Sequence, residues 1–98
     1  MLENRFKQKL IRELKEMFPD CIIGHMDPNE CQGWPDILIL YKKHWAALEG
    51  KKELTSPHRP NQNYYVNKMN GMSFASFICP ENKEEVLHEL QRAFRVKR

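Results

Sequence analysis

The chain has 98 residues, 41% of them hydrophobic and 30% charged, the composition of one small folded domain and not of a disordered or low-complexity segment. A net charge of +3 is too small to name a nucleic-acid partner by itself, and no apolar run reaches the length of a membrane span or forms an N-terminal signal core. Cys21, Cys31 and Cys79 give an odd count without close pairing, so a reduced intracellular, cytoplasmic setting is expected in place of a disulfide framework.

Leu2, Phe6, Leu10, Leu14 and Met17 recur at near-helical spacing, with Lys and Arg on the other side, which predicts a first helix ending at Phe18-Pro19. Cys21 to Met26 reads as a short strand, followed by a turn-rich loop from Asp27 to Gly33. Gly33-Trp34-Pro35-Asp36 then opens the apolar run Ile37 to Leu40, and Trp45 to Leu48 leads into Glu49. Both runs have the length and flanks of buried strands, joined as a hairpin through Tyr41-Lys42-Lys43-His44. Ser56-Pro57 offers a cap and a first-turn proline for a helix through Met69, closed by Asn70-Gly71. Ser73 to Cys79 reads as a fourth strand. Asn82 with Glu85 has the chemistry of a capping box for a last helix whose apolar face is Val86, Leu87, Leu90 and Phe94. The expectation is a single α/β domain over residues 1–98, in the order α-β-β-β-α-β-α.

The chemistry concentrates at Asp36, Glu49 and Lys51. Strand side chains alternate faces, so Glu49 and Lys51 point one way and Gly50 the other. An even-length hairpin loop pairs Leu40 with Trp45 and sets Asp36 opposite Glu49, whereas a three-residue loop sends the two carboxylates to opposite faces unless Gly50 supplies a bulge. Two carboxylates on neighbouring strands make a hard oxygen site suited to Mg²⁺, with water and phosphate completing the ion's shell. A lysine beside it can position or activate the attacking water, which points to phosphodiester hydrolysis. The competing readings are structural: Asp36 as a turn residue after proline, a Glu49–Lys51 ion pair, and Lys51-Lys52 as the polar end of an edge strand.

Pro35-Asp36 followed by Glu49-Gly50-Lys51 resembles the signature of the PD-(D/E)XK nuclease superfamily, and the order of elements agrees over nearly the whole chain. The similarity is to its small stand-alone members, the viral replication-repair type nucleases and the Holliday junction resolvases, although the Val-Arg-Arg signature of the viral group is absent. The resemblance implies a restriction-endonuclease-like core, with a mixed four-stranded sheet flanked by helices. It also implies a Mg²⁺-dependent deoxyribonuclease, with Mn²⁺ able to substitute, that cleaves by in-line attack of a water on the ion. Asp36, Glu49 and the carbonyl of Gly50 would be the protein ligands, and Lys51 would act on the water. Glu3 on the first helix and Gln62 on the helix after the lysine match accessory positions. The implied substrate is branched or structured DNA in repair or recombination, in a bacterial or virus-infected cell, and the implied assembly is a homodimer without a small-molecule cofactor. A non-cleaving nucleic-acid-binding module of the same fold is the alternative.

Other residues carry two readings each. Gln62 shares a helical face with Val66 and Met69 and looks towards the sheet, either for an ordinary hydrogen bond or to serve phosphate and water. Glu3 fits a second-metal or supporting role, yet the helix dipole alone favours an acid there. His58 and Arg59 after the motif strand, and Lys42 and Lys43 in the hairpin turn, are candidate phosphate contacts. Trp34, Tyr64, Tyr65 and Phe94 are candidates for an apolar contact patch, with Trp34 alternatively a lid over the hairpin. The four histidines do not fall into zinc-ligand spacing with the cysteines.

Overall fold

The computed structural model describes residues 2–27, 30 and 32–96, without the side chains of residues 2, 3 and 96. Its elements run α1 (Leu2–Met17), β1 (Ile22–His25), β2 (Ile37–Tyr41), β3 (His44–Gly50), α2 (Gln62–Met72), β4 (Phe74–Ile78) and α3 (Lys83–Val96). The four strands form one mixed sheet in the order β1-β2-β3-β4, antiparallel for the first two pairings and parallel for β3 with β4. No helix among the described residues is long and apolar enough to cross a membrane.

Strand alternation divides the sheet into two packed faces. Ile37, Ile39, Ala46, Leu48 and Ile78 face α1 and α3, which contribute Leu10, Leu14, Phe18, Val86, Leu87, Leu90 and Phe94 to the main core. Ala47 and Ala75 face α2 through Val66 and Met69, with Trp34, Trp45 and Phe77 packed at the margin. Phe94 is 5% exposed and lies in an aromatic group with Phe18, Tyr41 and His44, so it belongs to the core and not to a contact patch. Trp34 packs edge-on against Tyr65, whereas Tyr64 is 59% exposed.

The hairpin has the even register. Leu40 pairs with Trp45 and Tyr41 with His44, leaving Lys42 and Lys43 as the turn, with Lys42 in the left-handed region at φ 55°. No bulge at Gly50 is needed, and Gly50 pairs with Ile78 of β4. Since β3 lies between β2 and β4, Lys51 does not end an edge strand.

Three local signals resolve differently from the sequence expectation. The helix expected from Ser56-Pro57 begins at Gln62, because Pro60 disfavours a helical conformation in the residue before it and Asn61 takes φ 71°. The helix also runs through Asn70-Gly71 to Met72, where the Ser73 N–H still reaches the Met69 carbonyl at 2.9 Å. Asn82 does not form the capping box: its Oδ1 accepts from the Cys79 N–H at 2.8 Å and its Nδ2 donates to the Phe77 carbonyl, tying α3 back to β4.

Gly33 couples the β1–β2 loop to the start of α2. It sits at φ 95°, and a Cβ there would stand 2.6 Å from the Asn61 Cβ and 2.8 Å from the Asn61 carbonyl carbon. Gly33→Ala should therefore cost about 1–3 kcal/mol in urea unfolding. Gly71→Ala, with nothing within 4 Å of the added carbon, should gain about 0.4–1 kcal/mol. Equal effects of the two substitutions would contradict this placement of the loop.

Candidate active site

At the end of the sheet away from the hairpin turn, side chains of α1, β2, β3 and α2 converge on a cleft of about 720 Å³. Its walls include Asp36, Glu49, Lys51, Gln62, Arg59 and Lys7, with His25, Met26, Gln32, Gly33 and Trp34 on the β1 side. Asp36 directly precedes β2, and its backbone N–H donates to Glu49 Oε1 at 3.1 Å, so the two carboxyl groups share one face of the sheet.

Gln62 ties the site together. Its Oε1 accepts from Lys51 Nζ at 2.8 Å and from the Arg59 N–H at 2.9 Å, while its Nε2 donates to Glu49 Oε2 at 3.1 Å. These three contacts fix the amide's orientation, since a flip would set NH₂ against two donors. Lys51 is 9% exposed, and its remaining strong contact is the Pro57 carbonyl at 3.1 Å. Glu49 and Lys51 are thus joined through Gln62 and are not a direct ion pair. Lys52, one residue on, is exposed.

Burial and the neighbouring charges set the electrostatics of the two carboxyl groups. The Glu49 carboxyl is raised above the ordinary glutamate value, first by burial and then by the Asp36 carboxylate; Lys51, Lys7 and the Asp36 N–H act in the opposite direction. Asp36 Oδ2 is paired with Lys7 Nζ, but Asp36 Oδ1 is buried with no hydrogen-bond partner. A buried oxygen left without a donor is costly. Among the described residues no three His, Cys, Asp or Glu side chains come together as a metal-binding group. A cation here would rest on Asp36 and Glu49, completed by backbone, water or phosphate oxygens, and Mg²⁺ accepts such a shell.

Comparison of the chain with protein-family models, curated proteins and solved structures finds no match. The reading of the site therefore stands on its residues.

Asp36, Glu49, Lys51 and Gln62 all meet in the cleft, as does Arg59. His58 lines an adjoining groove with Lys52 and Ser56, where it stacks on Phe77 at 4.0 Å and contacts Asn63 Oδ1. Lys42 and Lys43 lie elsewhere: the hairpin turn is at the opposite end of β2, roughly 20 Å along the strand from Asp36. The side chain of Glu3 lies outside the described residues. Among the lining residues without a site role in the sequence reading, Lys7 and His25 are the ionisable ones. Lys7 lies three residues before Leu10 and seven before Leu14, a spacing that puts it beside the core-facing stripe and not on the far side with the other basic residues. His25 reaches the cleft because β1 pairs it with Ile37, next to Asp36. Cys21 and Cys79 are free thiols away from the cleft, and Cys31 lies outside the described residues.

Because the Glu49 carboxyl is raised, the folded state holds more protons than the unfolded chain between the ordinary and raised values. Its stabilising contribution is fully present below the ordinary value and is lost as pH rises through the raised one. Relative to Glu49→Gln, the wild-type chain should lose stability in urea titrations as pH rises above the ordinary glutamate value. A constant difference between the two proteins would contradict the raised Glu49.

Proposed function

We propose that this chain is a Mg²⁺-dependent endonuclease with a restriction-endonuclease-like core, hydrolysing phosphodiester bonds in branched or structured DNA. The observation that carries this reading is the pairing of Asp36 and Glu49 on one face, with an unpartnered carboxylate oxygen and a lysine held beside them. Asp36 and Glu49 hold the ion, with the Gly50 carbonyl as the further ligand implied by the resemblance to PD-(D/E)XK nucleases. When bound, Mg²⁺ supplies Lewis acidity at the phosphoryl oxygen and lowers the pKa of water; Mn²⁺ does the same.

The chain's own residues supply position and charge. Gln62 and the Pro57 carbonyl hold the Lys51 ammonium on the Glu49 side of the cleft, where it orients a water for in-line attack at phosphorus. Arg59, with its N–H fixed on Gln62, offers its guanidinium to a non-bridging phosphate oxygen. The cleft carries three basic side chains, Lys7, Lys51 and Arg59, against the two carboxylates, a balance that admits a phosphodiester anion once a cation is present. His58 in the adjoining groove extends this surface along the strand. A homodimer is part of the proposal, since two clefts on one branched substrate would cut paired strands.

The test is cleavage of single-strand, duplex, flap and four-way junction DNA with Mg²⁺ or Mn²⁺, together with sedimentation for the dimer. Asp36→Ala and Glu49→Ala should abolish cutting with circular dichroism unchanged. Lys51→Met should lower turnover about 100-fold or more, with Mn²⁺ affinity little altered. DNA binding without any metal-dependent cut would replace the enzyme by a binding module of the same fold.

A further inference from the structure

Lys7 lines the cleft and is given no contact of its own in the proposed chemistry. It belongs to α1, on the core side of the sheet, and reaches Asp36 by crossing the sheet end at Gly50. A Cβ at Gly50 would stand 3.0 Å from Lys7 Cε and 3.4 Å from its Cγ, so the missing side chain leaves a channel for the lysine stem. The ammonium lands on Asp36 Oδ2, on the carboxylate whose other oxygen is buried and unpartnered. With Glu49 ionised, the cleft lining holds two carboxylates, Asp36 and Glu49, against the cations Lys7, Lys51 and Arg59, and is already slightly positive. A dication entering at Asp36 therefore meets a resident cation on the same carboxylate and adds to a lining that already carries net positive charge. A phosphodiester brings negative charge and acceptor oxygens that give the lysine another partner.

We propose that Lys7 is a positioning residue that occupies Asp36 in the free protein and transfers to a phosphodiester oxygen when a divalent cation takes Asp36, coupling cation binding to substrate binding. This rests on the metal-dependent reading above. Its consequence is a site that binds a cation weakly alone and more tightly with a phosphodiester.

The experiment measures Mn²⁺ binding by loss of the free-ion electron paramagnetic resonance signal, with and without dimethyl phosphate, for four proteins: wild type, Lys7→Met, Lys7→Gln and Asp36→Asn. Lys7→Met keeps the stem over Gly50 and removes the charge; Lys7→Gln is a second neutral variant should the first fail to fold. The proposal expects the neutral variants to bind Mn²⁺ at least about tenfold more tightly than wild type. It also expects dimethyl phosphate to tighten Mn²⁺ on wild type and to have little effect on the neutral variants. If Asp36→Asn abolishes binding while the neutral variants match wild type, Lys7 is only a strut between α1 and the sheet and the proposal is overturned, with the metal reading intact. If Asp36→Asn binds as well as wild type, or no protein binds, the metal reading falls and takes the proposal with it.

Discussion

A two-residue turn at Lys42 and Lys43 decides which face of the sheet every side chain of β2 and β3 occupies. The side-chain period of a strand is two, so one residue more or fewer in that turn would exchange the faces of one strand relative to the other. With the observed parity, Ile37, Ile39, Ala46 and Leu48 all enter the core under α1 and α3, while Asp36 and Glu49 come together on the opposite face. Core and site are thus set by the same count. A slipped register that separated the carboxylates would also turn Ile37 and Ile39 out of the main core. Each fully buried Ile is worth about 1.5–3 kcal/mol, so the core holds the site in register.

The polar group at the end of the sheet is assembled against a cost. Lys51 is nearly buried, Glu49 is raised by desolvation and by Asp36, and Asp36 keeps one oxygen without a donor. Gln62 offsets part of this cost by bonding to Glu49 and Lys51 at once, and the chain geometry makes that possible. α2 starts only after Pro60, so the segment from Lys51 to Pro57 folds back and delivers the Pro57 carbonyl to the lysine and the Arg59 N–H to Gln62. What remains unsatisfied is one acceptor oxygen at Asp36.

Much of this was legible in the residues themselves. The four strands and three helices follow from apolar periodicity, whereas the residues leave the hairpin's parity open and the observed register supplies the facing of Asp36 and Glu49. Gln62 was placed towards the sheet by its spacing from Val66 and Met69, and both of those are buried. What failed was local signal without tertiary context. Ser56-Pro57 looks like a helix start, but Pro60 excludes it and the Pro57 carbonyl is held by Lys51. Asn70-Gly71 looks like a helix end, yet Gly71 is not in the left-handed region and one more turn forms. Asn82 has a capping side chain, spent instead on Cys79 and Phe77 of the preceding strand segment. The charge at Lys42 and Lys43 is plain in the sequence, but only the strand direction shows that it lies at the far end from the cleft. Lys7 was hidden among the basic residues of an amphipathic helix. Its spacing from Leu10 and Leu14 was visible, but the opening at Gly50 that lets it through to Asp36 exists only once the sheet has formed.

The central claim is that Asp36 and Glu49 together hold a divalent cation. The most direct measurement is the anomalous scattering of a crystal soaked in Mn²⁺ with dimethyl phosphate. The account predicts a peak within coordination distance of Asp36 Oδ1 and a Glu49 carboxylate oxygen, with the Lys7 ammonium moved from Asp36 onto the phosphate. A crystal in which Lys7 remains on Asp36 and no peak lies between the two carboxylates would contradict it.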